Sequence, residues 1–139
     1  MVEELKTYSL LDVEDLDVLM HELSPTSYCN ECILDNVMND ENSHVYVIRE
    51  DGHIIATGTL CITHTLEFTI AGIESVIVSS QYRRKGYSKE LMRRMIETAK
   101  EIKVHHLHLT SNPRREAANS LYQSIGFKRS DTNCYKLYL

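Results

Sequence analysis

The chain has 139 residues, the length of one domain (1–139), and can bury about two-thirds of the surface its unfolded form exposes. Its formal charge is −5, from 20 acidic against 15 basic side chains, so no cationic excess is on offer and nucleic acid is excluded as a general partner. No apolar run reaches the roughly 18 residues a membrane span needs. The acidic start Met1-Val-Glu-Glu-Leu5 lacks the apolar core of a secretory signal, so the expected compartment is the cytoplasm.

In chain order, Glu4 to Thr7 reads as a short strand. From Leu11 a helix is predicted, with Val13, Leu16, Leu19, Met20 and Leu23 on one stripe. Ser24-Pro25-Thr26 ends it, because proline disfavours helix at the residue before it. A weaker helix follows from Tyr28 to Met38, then a polar loop from Asn39 to Asn42. His44 to Arg49 alternates as a strand. Asp51-Gly52 is a two-residue hairpin signal leading to a strand over His53–Thr63. Gly58 inside that strand marks a bulge or a close approach.

His64 to Phe68 reads as a connection and Thr69 to Val78 as the central strand. A long helix over Ser88–Lys103 and a strand over His105–Thr110 come next. Pro113 suits the first turn of a last helix, which runs to Ile125 and stops at Gly126. Phe127–Lys128 and Asn133–Leu139 read as a closing pair of strands. The order β-αα-ββ-β-α-β-α-β-β predicts an α/β fold with one mixed sheet and helices on both faces.

Four cysteines and a histidine cluster raise the question of a metal. Cys29 and Cys32 form a C-x-x-C, but Cys61 and Cys134 are remote, and no second close pair completes a zinc set. Strand alternation puts His106 and His108 on one face and His105 on the other. No metal is expected, and free thiols are the reading.

The stretch Val76-Ile-Val-Ser-Ser-Gln-Tyr-Arg-Arg-Lys-Gly-Tyr-Ser-Lys-Glu-Leu-Met92 organises the rest. A β-branched strand end, Val76, Ile77 and Val78, feeds a basic turn with one glycine and then a helix. Free N–H groups at a helix start, with the positive end of its dipole, favour phosphate, and Arg83, Arg84 and Lys85 add full charges. The turn therefore predicts an anion site suited to a pyrophosphate. One glycine, Gly86, supplies neither the P-loop nor the Rossmann spacing. The alternative is a plain strand–turn–helix with a solvated basic turn.

Arg83-x-x-Gly86-x-Ser88 resembles the Q/R-x-x-G-x-G/A signature of the GNAT superfamily of acetyl-CoA-dependent N-acetyltransferases. Ser88 replaces the usual final Gly or Ala, as a small residue that keeps its N–H. Leu109 to Phe127, with Ala118-Asn-Ser-Leu-Tyr122 and Gly126-Phe127, is similar to the second hallmark of that family. The resemblance covers residues 40–139 well and the first 40 by helix pattern alone. It implies a GNAT fold with about six or seven strands flanked by about four helices. It also implies acetyl-CoA as cosubstrate and no metal.

The same resemblance implies roles for named residues. Tyr122 is the expected general acid for the departing thiolate, since a phenol near pKa ~10 matches its basicity; the alternative is a packed aromatic. Glu74, set among apolar residues of the central strand, is the expected base acting through a water, or else a structural carboxylate. The backbone at Val76, Ile77 and Val78 is expected to pair with the pantetheine arm, with an N–H near Val78 facing the oxyanion. Arg83, Arg84, Lys85, Gly86, Tyr87 and Ser88 would hold the pyrophosphate. Asn112 and Asn119 resemble positions that touch the arm, with a solvated helix role as the alternative for Asn119.

The acceptor is left open. Tyr28, Glu31, Asp35, His64, Glu67 and Tyr135 fall in the stretches expected to form its pocket, and acidic and aromatic groups suit a small cationic amine. A peptide or protein amine is an alternative acceptor. The rival class is a module that binds acetyl-CoA without turnover. The edge of the strand ending Tyr135–Leu139 could pair across a homodimer.

Overall fold

A computed structural model describes residues 1–139. Two compact units divide it, Met1–Leu109 and Thr110–Leu139.

The first unit holds the sheet. Strands β1 (Val2–Glu4), β2 (Ser43–Glu50), β3 (His53–His64), β4 (Thr69–Val78) and β5 (Leu107–His108) lie in the order β1-β2-β3-β4-β5. The first three pairings are antiparallel, and β4 with β5 is parallel. Helices α1 (Leu10–Leu23), α2 (Glu31–Met38) and α3 (Tyr87–Ile102) belong to the same unit, with a 3₁₀ turn at Ser80–Tyr82.

Each boundary has a local cause. Ser9 caps α1 through a capping box, accepting from the Asp12 N–H while Asp12 accepts from the Ser9 N–H. Asn30 caps α2 by accepting from the Ile33 N–H, which starts this helix three residues after the expected Tyr28. At the hairpin, Asp51 (φ 51°) and Gly52 (φ 83°) are both left-handed, the type I′ signature.

Leu16 and Leu19 of α1 and Leu34 of α2 pack on Val45, Val47, Ile54 and Ile77 of the sheet. Each such burial stabilises by about 1.5–3 kcal/mol. The opposite face meets α3. Tyr46 donates to or accepts from Thr98 at 2.6 Å, and the Arg94 guanidinium lies 5.2 Å over the Tyr46 ring. Gly58 lets α3 approach closely here: a Cβ would sit 2.9 Å from Met95 Cε and push that side-chain tip aside. Helices therefore cover both faces, as expected. No helix is long and apolar enough to cross a membrane.

Asp12 has a second task. It accepts from Arg49 Nη1 at 2.7 Å and Nη2 at 3.1 Å, joining α1 to β2. Those bonds hold its carboxyl below the ordinary range, with burial opposing. Asp12→Ala is expected to cost about 2–4 kcal/mol at pH 7, because it removes a helix cap and both bonds to Arg49, which keeps its pairing with Glu3. The native carboxylate contributes fully above its unfolded value near ~3.9, and the contribution is lost as pH falls through the lowered folded value. Urea melts of both proteins should thus converge on acidification.

The second unit holds α4 (Glu116–Ser124). Pro113 does not open it. Asn112 closes a turn first, its side chain accepting from the Arg114 N–H and its carbonyl from the Arg115 N–H. At the far end Gly126 takes φ 109° as the helix stop.

The expected closing strands at 127–128 and 133–139 are absent, so the sheet has five strands rather than six or seven. Strand propensity there finds no ladder partner, and Tyr135, Leu137, Tyr138 and Leu139 are each at least 85% exposed. The expected strand at His105–Thr110 shortens to two residues. The four α-helices match the expected number.

Candidate active site

Two features of β4 shape the first unit's site. Opposite Gly58, β4 carries an extra residue: Thr57 pairs with Ile77 and Thr59 with Glu74, and Ser75 takes φ 54°. A bulge of this kind bends its strand and re-aims side chains. On the other side, β5 pairs only at Ala71↔Leu107 and Gly72↔His108. Past Gly72 the two parallel strands no longer ladder. The sequence offered no signal for that parting.

Beyond it the chain runs from Val76, Ile77 and Val78, all buried, into the basic turn. Arg83 Nε donates to the Val78 carbonyl at 3.3 Å, folding the turn back on the strand end. Lys85 Nζ lies 5.2 Å over the Tyr82 ring, and Arg84 takes φ 65°. Gly86 then caps α3 at φ 83°, with no side-chain hydrogen bond to the first turn. Where α1 and α2 satisfy first-turn donors with Ser9 and Asn30, α3 leaves its own without a side-chain cap. A Cβ on Gly86 would meet nothing within 4 Å, so the approach to those donors is open. Tyr87 and Ser88 supply the first N–H groups. This is a physical fit for a diphosphate.

Glu74 differs from expectation. It is exposed, with no apolar wall around it. Its cross-strand neighbour is Thr59, and its charge pushes up the half-buried Cys61 thiol, after burial, the larger cause. Near it lies a residue not anticipated: the His108 ring rests on Gly72, where a Cβ would come within 3.0 Å of His108 Nε2 and 3.5 Å of Glu74 Oε1.

The other histidines gather on Phe68. Its ring stacks on His105 at 3.8 Å, and His105 Nδ1 lies 2.9 Å from His106 Nδ1. Because β5 begins at Leu107, strand alternation does not govern His105, contrary to the expected split. Among the expected pocket residues, Asp35 is engaged by the Tyr8 hydroxyl, and His64 Nδ1 lies 3.0 Å from Thr69 Oγ1. Tyr28 is exposed.

In the second unit, Tyr122 is buried against Phe127, with ring centroids 6.2 Å apart. Burial raises its pKa, and Arg115, by charge and hydrogen bond, opposes the rise. A phenol so placed stays protonated at neutral pH, with a cation beside it. Sequence reasoning missed Arg115 in this role. Asn119 is not simply solvated: its Nδ2 donates to the Asn112 carbonyl at 3.0 Å, bringing the two asparagines together.

Parallel strands that part at Gly72, followed by a glycine turn and an uncapped helix, are the architecture of an acyltransferase domain. The sequence matches the family described as acetyltransferase (GNAT) over residues 7–127, and the chain belongs to that family, whose members generally use acetyl-CoA. Solved structures carry the same fold. A protein of Agrobacterium tumefaciens described as an acetyltransferase superposes with TM-score 0.85 at 23% identity, covering 99% of both chains. An aminoglycoside acetyltransferase from an uncultured soil metagenomic sample gives 0.84 at 18%, covering 100% of this chain and 95% of that one. Glucosamine-6-phosphate N-acetyltransferase of Arabidopsis thaliana gives 0.78 at 18%, covering 99% of both. No curated protein sequence matches.

Proposed function

We propose that this chain is an N-acetyltransferase that moves the acetyl group of acetyl-CoA to a primary amine of a small molecule. The amine attacks directly in a ternary complex. Tyr122 is the general acid, and Glu74 draws the proton from the amine through a water. The observation that carries the reading is the start of α3: a left-handed glycine, no side-chain cap, and three cations in the preceding turn. Those groups would bind the diphosphate, while the β4 backbone from Val76 to Val78 would align the pantetheine arm and aim an N–H at the thioester oxygen.

A small amine is favoured over a peptide by two of the structural neighbours, which are named for aminoglycoside and glucosamine 6-phosphate acetylation. The exposed Glu67 and Glu31 supply negative charge for a cationic acceptor. The test is calorimetry with acetyl-CoA, then thiol release with kanamycin, glucosamine 6-phosphate, spermidine and tyramine. Binding followed by release with at least one amine is the expected result. Binding with no release from any of the four would mark a non-catalytic module, and no binding would end the reading.

A further inference from the structure

We infer that His108 is a further catalytic residue of this reaction, taking the first proton from the acceptor ammonium beside Glu74; this rests on the proposed acetyl transfer and deepens it. The position comes from the strand ladder. His108 is the last residue of β5 and pairs with Gly72, the last β4 residue that β5 reaches. Glu74 follows two residues later on the same face of β4. Both side chains therefore stand where the strands part.

The contact is close because Gly72 has no side chain. His108 Nε2 lies 3.0 Å and Cε1 3.4 Å from the point a Cβ would occupy, with Glu74 Oε1 3.5 Å from the same point. An imidazole and a carboxylate thus flank one small volume above Gly72, and both residues are exposed to an entering molecule. Neither side chain is among the buried core residues.

The other titratable groups in view are few. His106 precedes His108 on the same edge at 6.4 Å between ring centroids, and is itself engaged with His105. From β3, Cys61 faces Glu74. Glu74 is the negative charge among these groups.

The step balances as follows. An N–H bond of the ammonium breaks and its proton moves to neutral His108 Nε2. The freed lone pair forms the N–C bond to the thioester carbonyl, and the C–S bond breaks. The thiolate takes a proton from Tyr122, which regains one from the nitrogen as the amide forms, by way of water. Glu74 then draws that proton from the imidazolium through a water and passes it to solvent, so one proton is released per turnover.

The experiment compares His108→Asn and Gly72→Ala with the unaltered protein across the pH range, using whichever of kanamycin, glucosamine 6-phosphate, spermidine and tyramine the unaltered protein acetylates. His108→Asn is expected to lower kcat/KM about 100-fold near neutral pH. The loss should shrink at alkaline pH, where the amine deprotonates unaided, and acetyl-CoA binding by calorimetry should stay within about two-fold. Gly72→Ala keeps the imidazole but displaces it, so a loss of about 10-fold with the same pH dependence is expected. A merely structural role would lower activity equally at every pH. Unchanged activity of His108→Asn, or a loss independent of pH, overturns the role of His108 and leaves the acetyltransferase reading standing. Absence of turnover by the unaltered protein with all four amines overturns both.

Discussion

Replacing Tyr122 with phenylalanine is expected to lower kcat by about 10²–10⁴-fold, the usual worth of a positioned proton donor. The ring is buried against Phe127, and phenylalanine keeps that packing, so the loss should not come from unfolding. Only the hydroxyl and its bond with Arg115 disappear. Acetyl-CoA affinity should stay within a few-fold, since an acid that acts in the transition state contributes little to ground-state binding. Burial raises the phenol's pKa against the opposition of Arg115, so the unaltered enzyme should hold its activity to an alkaline limit above the ordinary phenol value near ~10. Steady-state kinetics and calorimetry on the same preparations decide it. A variant with full kcat would leave Tyr122 as a packing residue only.

Gly86→Glu is expected to weaken acetyl-CoA binding by about 100-fold or more, equivalent to ~2.8 kcal/mol. Two effects add. A side chain at φ 83° costs about 1–2 kcal/mol, and a carboxylate would stand at the helix start in the place proposed for the diphosphate. Nothing lies within 4 Å of the new Cβ, so the cost to the fold is confined to that backbone strain. Gly86→Ala separates the terms: it carries the backbone strain without the charge, and should cost no more than about 10-fold. Equal affinity in the glutamate variant would remove the phosphate role of this turn and, with it, the main support for acetyl-CoA.

Local chemistry explains which parts of the fold were readable. The bounds of β4 at Thr69 and Val78, the Asp51-Gly52 turn and the stop at Gly126 each follow from the residues on the spot. The start of α4 was misjudged because Pro113 tolerates a helix start, while the turn made by Asn112 delays it to Glu116. The closing strands were misjudged for a different reason. Their alternating pattern gives a propensity, but a strand exists only where a neighbour supplies the other half of its hydrogen bonds.

The site divides in the same way. The basic turn is a contiguous segment, so its glycine, its three cations and the helix behind them can all be recognised in the order they are written. Glu74 could be singled out by type, but its surroundings could not: register sets Thr59 opposite it and leaves it exposed instead of walled by apolar groups. His108 reaches Gly72 only through the β4–β5 pairing, and the place where those strands part depends on where that pairing ends. The sequence by itself determined most of the elements and the basic glycine turn, because helix starts, turns and apolar stripes arise from neighbours along the chain. Tertiary structure alone decided that His108 and Glu74 stand over one glycine, because register between strands is set by packing of the whole face and not by any single segment.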